Sequence, residues 1–175
     1  RLRNDKFYFQ EAVTWTAGTS GYFSVRIASE GTVFTREGQT SFPNEDKNFI
    51  LSILNTKIIQ YFLTFLSPGL SYSIEHINKI PIIFPKSDLI KQHIEQVTQQ
   101  NIDISKEEWN SRETSWDFTK NELIKHKSDT KLETAYSNYC NHWKEQHSTL
   151  HQNEEELNRL FIDIYELQDE LTPDV

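Results

Sequence analysis

The distribution of glycine and proline is the feature of this 175-residue chain that most constrains its fold. All five glycines lie before residue 70, and neither glycine nor proline occurs between Pro85 and Pro173. A stretch of 87 residues without either helix breaker is typical of an almost wholly helical segment. We therefore expect an α+β fold in which a small mixed β-sheet with a central apolar helix is followed by an all-helical C-terminal part.

Three segments of the first part have the composition of strands. AVTWT at residues 12–16 is the first, and in YFSVRIA the apolar residues Phe23, Val25 and Ile27 alternate with polar ones. A turn at Gly31 leads into the predicted third strand, TVFTR at residues 32–36. The segment IPIIFP at residues 80–85 carries two prolines, which favours a short edge strand or a strand end.

The predicted helices begin with Asn44 as N-cap and with Glu45 and Asp46 in the first turn. One densely apolar helix then runs from Phe49 to Leu66, and its apolar faces predict a central position. A further helix is expected over residues 87–100, and Ser105 with Glu108 forms a capping box that would start another. The last helix carries a heptad-like apolar series at Leu150, Leu157, Leu160, Ile164, Leu167 and Leu171.

Two tryptophans interrupt a polar stretch at Trp109 and Trp116. Residues seven apart share one face of a helix, so this pair forms either a core anchor or an aromatic platform for a ligand. We expect both tryptophans, with Phe118, to pack their helix onto its neighbours.

Charge is unevenly spread along the chain. The formal net charge of −8 divides into +1 over residues 1–100 and −9 over residues 101–175, so a polyanion should prefer the first part. The single cysteine, Cys140, excludes an internal disulfide and fits a reducing, cytoplasmic location. No run of eighteen apolar residues predicts a membrane span, and we interpret the chain as an excerpt from a longer protein.

Motifs for catalysis are lacking: the sequence has no glycine-rich phosphate loop and no G-x-S-x-G elbow. The one metal-like group is Cys140, His142, His147 and His151. Ligands drawn from one continuous helix close poorly around a tetrahedral ion, so we expect no metal site here. Because the catalytic motifs are lacking, we also expect no catalytic residues.

Binding chemistry is better represented, in the glycine-containing strand and loop region. Hydroxyls and arginines on exposed strand faces suit contacts with phosphates and base edges, although any β-rich domain also has Thr and Ser on its solvent face. We predict Arg26 and Arg36 to read bases and Lys47 to contact phosphate. The candidate DNA-binding residues are Thr14, Thr16, Ser20, Tyr22, Arg26, Arg36, Gln39 and Lys47.

Three stretches resemble a known family in the same order. SKEEWNSRETSWDF is similar to a tryptophan-rich signature in the C-terminal part of PglX-type adenine-specific DNA methyltransferases. TWTAGTSGYFSVRI with GTVFTREGQTSF and LNTKIIQYFLTFL resembles their target-recognition region, and NEEELNRLFIDIYELQDELTPDV resembles their C-terminal helix. INKIPIIFP is similar to the strand that enters the spacer helix in type I specificity subunits.

The resemblance implies a role in a BREX or restriction-modification phage-defence system. No two prolines are adjacent, so the Asn-Pro-Pro-aromatic motif of the family is absent and only recognition carries over. We expect residues 1–85 to belong to a target-recognition domain and residues 86–175 to form a helical spacer. The fragment would hold no cofactor, while its parent would bind S-adenosylmethionine.

The implied partners are double-stranded DNA, the upstream methyltransferase domain and other defence-system subunits. The alternative is a protein-interaction scaffold that docks such subunits or a phage protein.

Overall fold

The computed structural model describes residues 4–43 and 46–175 and has the expected α+β fold. Strands β1 (Ala12–Thr16), β2 (Arg26–Ala28) and β3 (Gly38–Ser41) form one sheet in the order β2-β1-β3. A 3-10 turn at Asp5–Phe7 precedes the sheet. The helices are α1 (Lys47–Leu54), α2 (Lys57–Leu66), α3 (Ile74–Ile77), α4 (Asp88–Asn110), α5 (Glu122–Lys125) and α6 (Leu132–Ile164).

The sheet differs from the prediction in two respects. Both strand pairs are antiparallel, so the expectation of a mixed sheet is wrong for the described residues. The first strand and the turn at Gly31, whose φ is 87°, are confirmed. The predicted strand at 32–36 is wrong, because the third strand is Gly38–Ser41, which pairs directly with β1.

Only the end of YFSVRIA joins the sheet, and Asn55 explains why. The Asn55 side chain accepts a hydrogen bond from the Val25 backbone N–H (2.9 Å) and donates one to the Val25 carbonyl (3.1 Å). Gln60 donates in the same way to the Phe23 carbonyl. Because side chains satisfy these backbone groups, residues 23–25 have no need of a neighbouring strand.

Asn55 also lies at a break in the apolar helix that was predicted to be continuous. The chain forms α1 and α2 instead, bent by 66° relative to each other. Thr56 precedes α2, and its buried hydroxyl bonds to the Ile53 carbonyl. The predicted N-cap Asn44 and Glu45 fall outside the described residues, and Asp46 occupies the N-cap position rather than the first turn.

No single helix of the described chain has the length and apolarity to cross a membrane, although α1 and α2 pass that test as a bent pair.

The segment at residues 80–85 is not a strand, contrary to the prediction. The Tyr165 hydroxyl lies against it, donating to the Pro81 carbonyl (2.6 Å) and accepting from the Ile83 N–H (3.0 Å). A side chain from the end of α6 thus replaces the strand partner that this segment would otherwise require.

The region without glycine or proline is mostly helical, as predicted, but residues 111–121 and 126–131 are not. In addition, α4 does not end near residue 100. It continues to Asn110, so the capping box at Ser105 is wrong. The buried residues Ile94, Val97, Thr98 and Ile104 recur at helical spacing past the predicted break, along a helix that packs against α1 and α6. Helix α6 itself extends over 33 residues.

One apolar core joins the first part of the chain to the helices. Its fully buried members include Trp15, Phe49, Ile58 and Phe161, and the Phe49 and Phe161 rings meet edge to face with centroids 5.4 Å apart. Leu167 and Leu171, beyond the end of α6, pack against the same core. We call the sheet, α1–α3 and the core-facing parts of α4 and α6 the body.

The contiguous apolar core has no described member between residues 103 and 156, and the buried apolar residues Ile104 and Ala135 lie outside it. We call residues 105–143 the tip; they comprise the end of α4, the connection, α5 and the start of α6. At ~1.5 Å per residue, the start of α6 lies roughly 37 Å from Leu157. The prediction that Trp109 and Trp116 pack a helix onto its neighbours is wrong: Trp109 is 58% exposed, and Trp116 follows α4 in a turn and is fully exposed. Phe118 is half-buried.

Candidate nucleic-acid interface

The two faces of the sheet have different surroundings. Val13 and Trp15 on β1 point into the core, and the Trp15 indole donates to the Tyr72 carbonyl (2.8 Å). Thr14 lies between them and faces the other way. The strand register sets Thr14 opposite Arg26 on β2 and Thr40 on β3, so these three residues share the outer face.

A groove of about 190 Å³ lies on this outer face. Thr14, Arg26 and Thr40 contribute polar groups, while Phe7, Phe34 and Phe42 form an aromatic wall. The Phe42 ring lies 4.9 Å from the Phe7 ring and 5.5 Å from the Phe34 ring, measured between centroids. The wall fixes the 3-10 turn and the loop after β2 against the sheet.

Several groove hydroxyls already have partners. Thr14 Oγ1 donates to the Gln39 carbonyl (2.8 Å), and Thr32 Oγ1 donates to the Ser29 carbonyl (2.8 Å). Thr35 Oγ1 accepts from the Gly38 N–H (3.1 Å). Thr14 Oγ1 also accepts from Thr40 Oγ1 (3.4 Å). Because a hydroxyl oxygen has two acceptor lone pairs, each of these hydroxyls keeps acceptor capacity for a ligand.

The two arginines predicted to read bases are exposed, Arg26 within β2 and Arg36 at the bend before β3. If these arginines were ordinary surface charges, their nearest carboxylates in sequence would be Glu30 for Arg26 and Glu37 for Arg36. Neither pair forms within residues 4–43 and 46–175, and no other described carboxylate pairs with either arginine. Toward the described residues, both guanidinium groups therefore keep their donors available.

The remaining predicted residues are dispersed. Thr16, Ser20 and Tyr22 are exposed at and beyond the end of β1. Gln39 is opposite Trp15 in the register, so it lies on the core-facing side of the sheet, and its amide donates to the Arg36 carbonyl (2.8 Å). Lys47 is the first residue of α1 and forms an ion pair with Glu11.

Sequence reasoning missed the groove itself. Phe7, Gln10 and Phe42 line it but lie outside the predicted strands. The aromatic residues at 7, 34 and 42 carry no periodic signal, because only tertiary packing brings them together. Thr40 could have been assigned to the outer face from the sequence. Successive residues of a strand point to opposite faces, so Thr40 and Gln39 cannot share one.

The described residues contain no group of three His, Cys, Asp or Glu side chains arranged to hold a metal ion. Cys140 is half-buried on α6. His142 Nε2 lies 3.3 Å from Glu107 Oε1, and His151 Nδ1 lies 3.9 Å from Glu155 Oε1.

Two curated relatives match nearly the whole chain. The adenine-specific methyltransferase PglX of Lacticaseibacillus casei (strain Zhang) is 40% identical over 180 residues, covering 98% of this chain and 14% of PglX. The adenine-specific methyltransferase BrxX of Escherichia coli O9:H4 (strain HS) is 34% identical over 175 residues, covering 98% of this chain and 14% of BrxX. No protein-family model matches. The chain spans about one seventh of the length of these relatives, and it belongs, as a segment, to the family of PglX and BrxX adenine-specific methyltransferases.

Proposed function

We propose that this chain is the target-recognition and C-terminal helical part of an adenine-specific DNA methyltransferase. It selects the DNA site, and the rest of the parent protein carries out methyl transfer. The observation that carries this proposal is the outer sheet face, on which Thr14, Arg26 and Thr40 lie side by side. The Arg26 guanidinium group has no described ion-pair partner there. The similarity to two adenine-specific methyltransferases supplies the reaction class.

The recognition step depends on Arg26 and Arg36. An arginine can donate two hydrogen bonds to O6 and N7 of guanine in the major groove, a pattern that no other base pair presents in the same way. Arg26 projects from β2, an edge strand whose backbone is already ordered by pairing with β1 before any ligand binds. Arg36, at the edge of the same sheet, extends the reading surface toward Thr16, Ser20 and Tyr22.

Lys47 has a different role in this proposal. It stands at the start of α1, where phosphate is favoured by the helix dipole, but its ammonium group is paired with Glu11. Phosphate contact requires Lys47 to exchange one anionic partner for another, and the contact carries no sequence information. Gln39 acts indirectly, by holding the Arg36 backbone.

Residues 1–85 form the recognition part and residues 86–175 the helical spacer of this proposal, although one apolar core joins the two. Extrusion and methylation of the target adenine, with S-adenosylmethionine as donor, belong to the parent's other domains. The parent would act on cytoplasmic double-stranded DNA in a BREX or restriction-modification phage-defence system.

The test is a methylation-site profile of the full-length parent carrying Arg26→Ala or Arg36→Ala. Loss of a base-reading arginine should cost ~1–3 kcal/mol and relax the preference at one base pair. Lys47→Ala should weaken binding to all sequences alike and reduce its salt dependence. Arg159→Ala is the matched control, because Arg159 is an exposed arginine on α6, outside both the outer sheet face and the tip.

If both Arg26→Ala and Arg36→Ala keep the wild-type site and rate, the recognition role is wrong. The scaffold alternative is then favoured, and it predicts that the methylated site never changes while association with other proteins does.

A further inference from the structure

The tip displays large apolar side chains that the described protein leaves uncovered. Trp116 is fully exposed, and the other members are at least half exposed: Trp109, Ile124, Leu132 and Tyr136. A buried tryptophan removes 150–250 Å² from water, so its complete exposure forfeits a large stabilisation. Apolar side chains gathered on one part of a surface mark an interaction site.

The turn that carries Trp116 is held by hydrogen bonds. Ser115 is buried, and its hydroxyl donates to Asn110 Oδ1 (2.8 Å) and accepts from the Asp117 N–H (3.2 Å). The Ser115 N–H donates to the Arg112 carbonyl (2.9 Å). Trp116 therefore projects from an ordered turn, which lowers the entropy cost of its burial by a partner.

A groove of about 430 Å³ lies between the end of α4, the start of α5 and α6. Leu123, Tyr136 and Tyr139 line it, together with the ion pair between Arg112 and Glu108. The tip thus offers an aromatic anchor and a concave surface, which are the two features of a protein-binding hot spot.

The charges of the tip do not favour a nucleic acid. Residues 105–143 hold six Lys and Arg against seven Asp and Glu. Several of these charges are satisfied internally, because Lys125 pairs with Glu107 (2.6 Å) and Arg112 with Glu108. A nearly neutral surface with paired charges and exposed aromatics matches an apolar protein surface rather than a polyanion.

We propose that the tip docks on the remainder of the parent methyltransferase polypeptide, through Trp116, Trp109 and the groove lined by Tyr136. The curated relatives are about seven times longer than the aligned segment, so most of the parent lies outside this chain. Covalent attachment gives that remainder a high effective concentration at the tip, which no separate protein shares. The proposal rests on the family membership and not on the DNA-reading role of Arg26.

The experiment is hydroxyl-radical footprinting of the purified full-length parent, with the oxidation of each side chain measured by mass spectrometry. In wild-type protein without DNA, Trp116 and Tyr136 should be oxidised at least about tenfold more slowly than their intrinsic reactivity predicts, as for a docked state populated about ten to one. Leu89, an exposed apolar residue at the other end of α4, is the control and should react as fully accessible. Trp116→Ala should restore the accessibility of Tyr136 and leave Leu89 unchanged.

Three outcomes overturn the proposal. Trp116 can react as a free side chain in the full-length protein, which means that nothing covers it. Protection can require added DNA, which makes the tip a nucleic-acid platform. Protection that increases with protein concentration indicates a second copy as the partner. If the DNA-reading proposal fails, Arg26→Ala and Arg36→Ala keep the wild-type methylation site, and this footprint is unaffected. The two proposals therefore fail separately.

Discussion

Trp15 and Trp116 represent the two regions of this molecule. Trp15 is fully buried in the body, its ring packs edge to face with Phe23, and its indole N–H has a carbonyl partner. Trp116 in the tip is fully exposed on a hydrogen-bonded turn. One residue type thus serves as a core anchor in one region and as a free surface group in the other.

The regions also differ in what stabilises them. The body is held by an apolar core, in which buried polar groups such as Asn158 have backbone partners: Asn158 accepts from Lys57 N–H (3.0 Å) and donates to the Pro173 carbonyl (3.1 Å). The tip is held by charged and polar contacts around Glu122, which accepts from the Trp143 indole (3.2 Å) and pairs with His126 (3.2 Å). Apolar burial is not weakened by charge screening, whereas such ion pairs are. Salt and pH should therefore act on the tip more than on the body.

The largest expected contrast is between Trp15→Ala and Trp116→Ala in this chain. Trp15→Ala should lower the free energy of unfolding by ~3–5 kcal/mol, because it opens a cavity and leaves the Tyr72 carbonyl unpaired. Trp116→Ala should change it by no more than about 0.5 kcal/mol. Denaturant titration of the two variants measures both values, and equal losses would contradict the division into body and tip.

A smaller effect is expected at Asn55. Asn55→Ala removes both bonds to the Val25 backbone and should cost ~1–3 kcal/mol, since buried backbone groups lose their partners. Asn141→Ala is the control on the exposed side of α6 and should stay within about 0.5 kcal/mol of wild type. Denaturant titration compares the two, and a silent Asn55→Ala would show that residues 23–25 are held by other contacts.

The next effect concerns the contact between α6 and residues 80–85. Tyr165→Phe removes the hydroxyl that bonds to Pro81 and Ile83, and it should lower stability by ~0.5–1.5 kcal/mol. Hydrogen exchange should accelerate at the Ile83 amide. Tyr136→Phe in the tip is the matched control, and an equal acceleration in that variant would argue against a specific clamp.

The smallest effect is electrostatic and lies in the tip. The Lys125 ammonium holds the pKa of Glu107 below its usual value of 4.5, with a further contribution from His142. A lowered carboxyl pKa stabilises the folded state above pH 4.5, and this stabilisation is lost as the pH falls through the depressed folded pKa. Glu107→Gln should therefore cost at most about 1 kcal/mol at pH 7, less in high salt, and nothing in strong acid.

Thermal unfolding of Glu107→Gln and wild type at pH 7 and below pH 4 measures this difference. A gap that stays constant over that pH range would show that Glu107 acts through packing rather than charge.

The candidate site was only partly predictable from sequence. Thr14 and Arg26 were identified from strand alternation, and the register brings them to one face. Gln39 was assigned to the same surface, but its register partner is the buried Trp15. Register depends on which strand pairs with β1, and the local pattern favoured residues 32–36 over the true strand at residues 38–41.

The sequence by itself determined the α+β class, the strand β1, the helical nature of the region between Pro85 and Pro173, and the likeness to PglX-type enzymes. These features depend on local propensity, on the absence of helix breakers and on residue identity, all of which are readable along the chain. Only the tertiary structure decided that α4 continues past Ser105, that Asn55 and Tyr165 replace strand partners, and that Trp116 remains exposed. Each of these outcomes depends on groups distant in sequence, because a backbone polar group or an aromatic ring takes whichever partner the fold brings within reach.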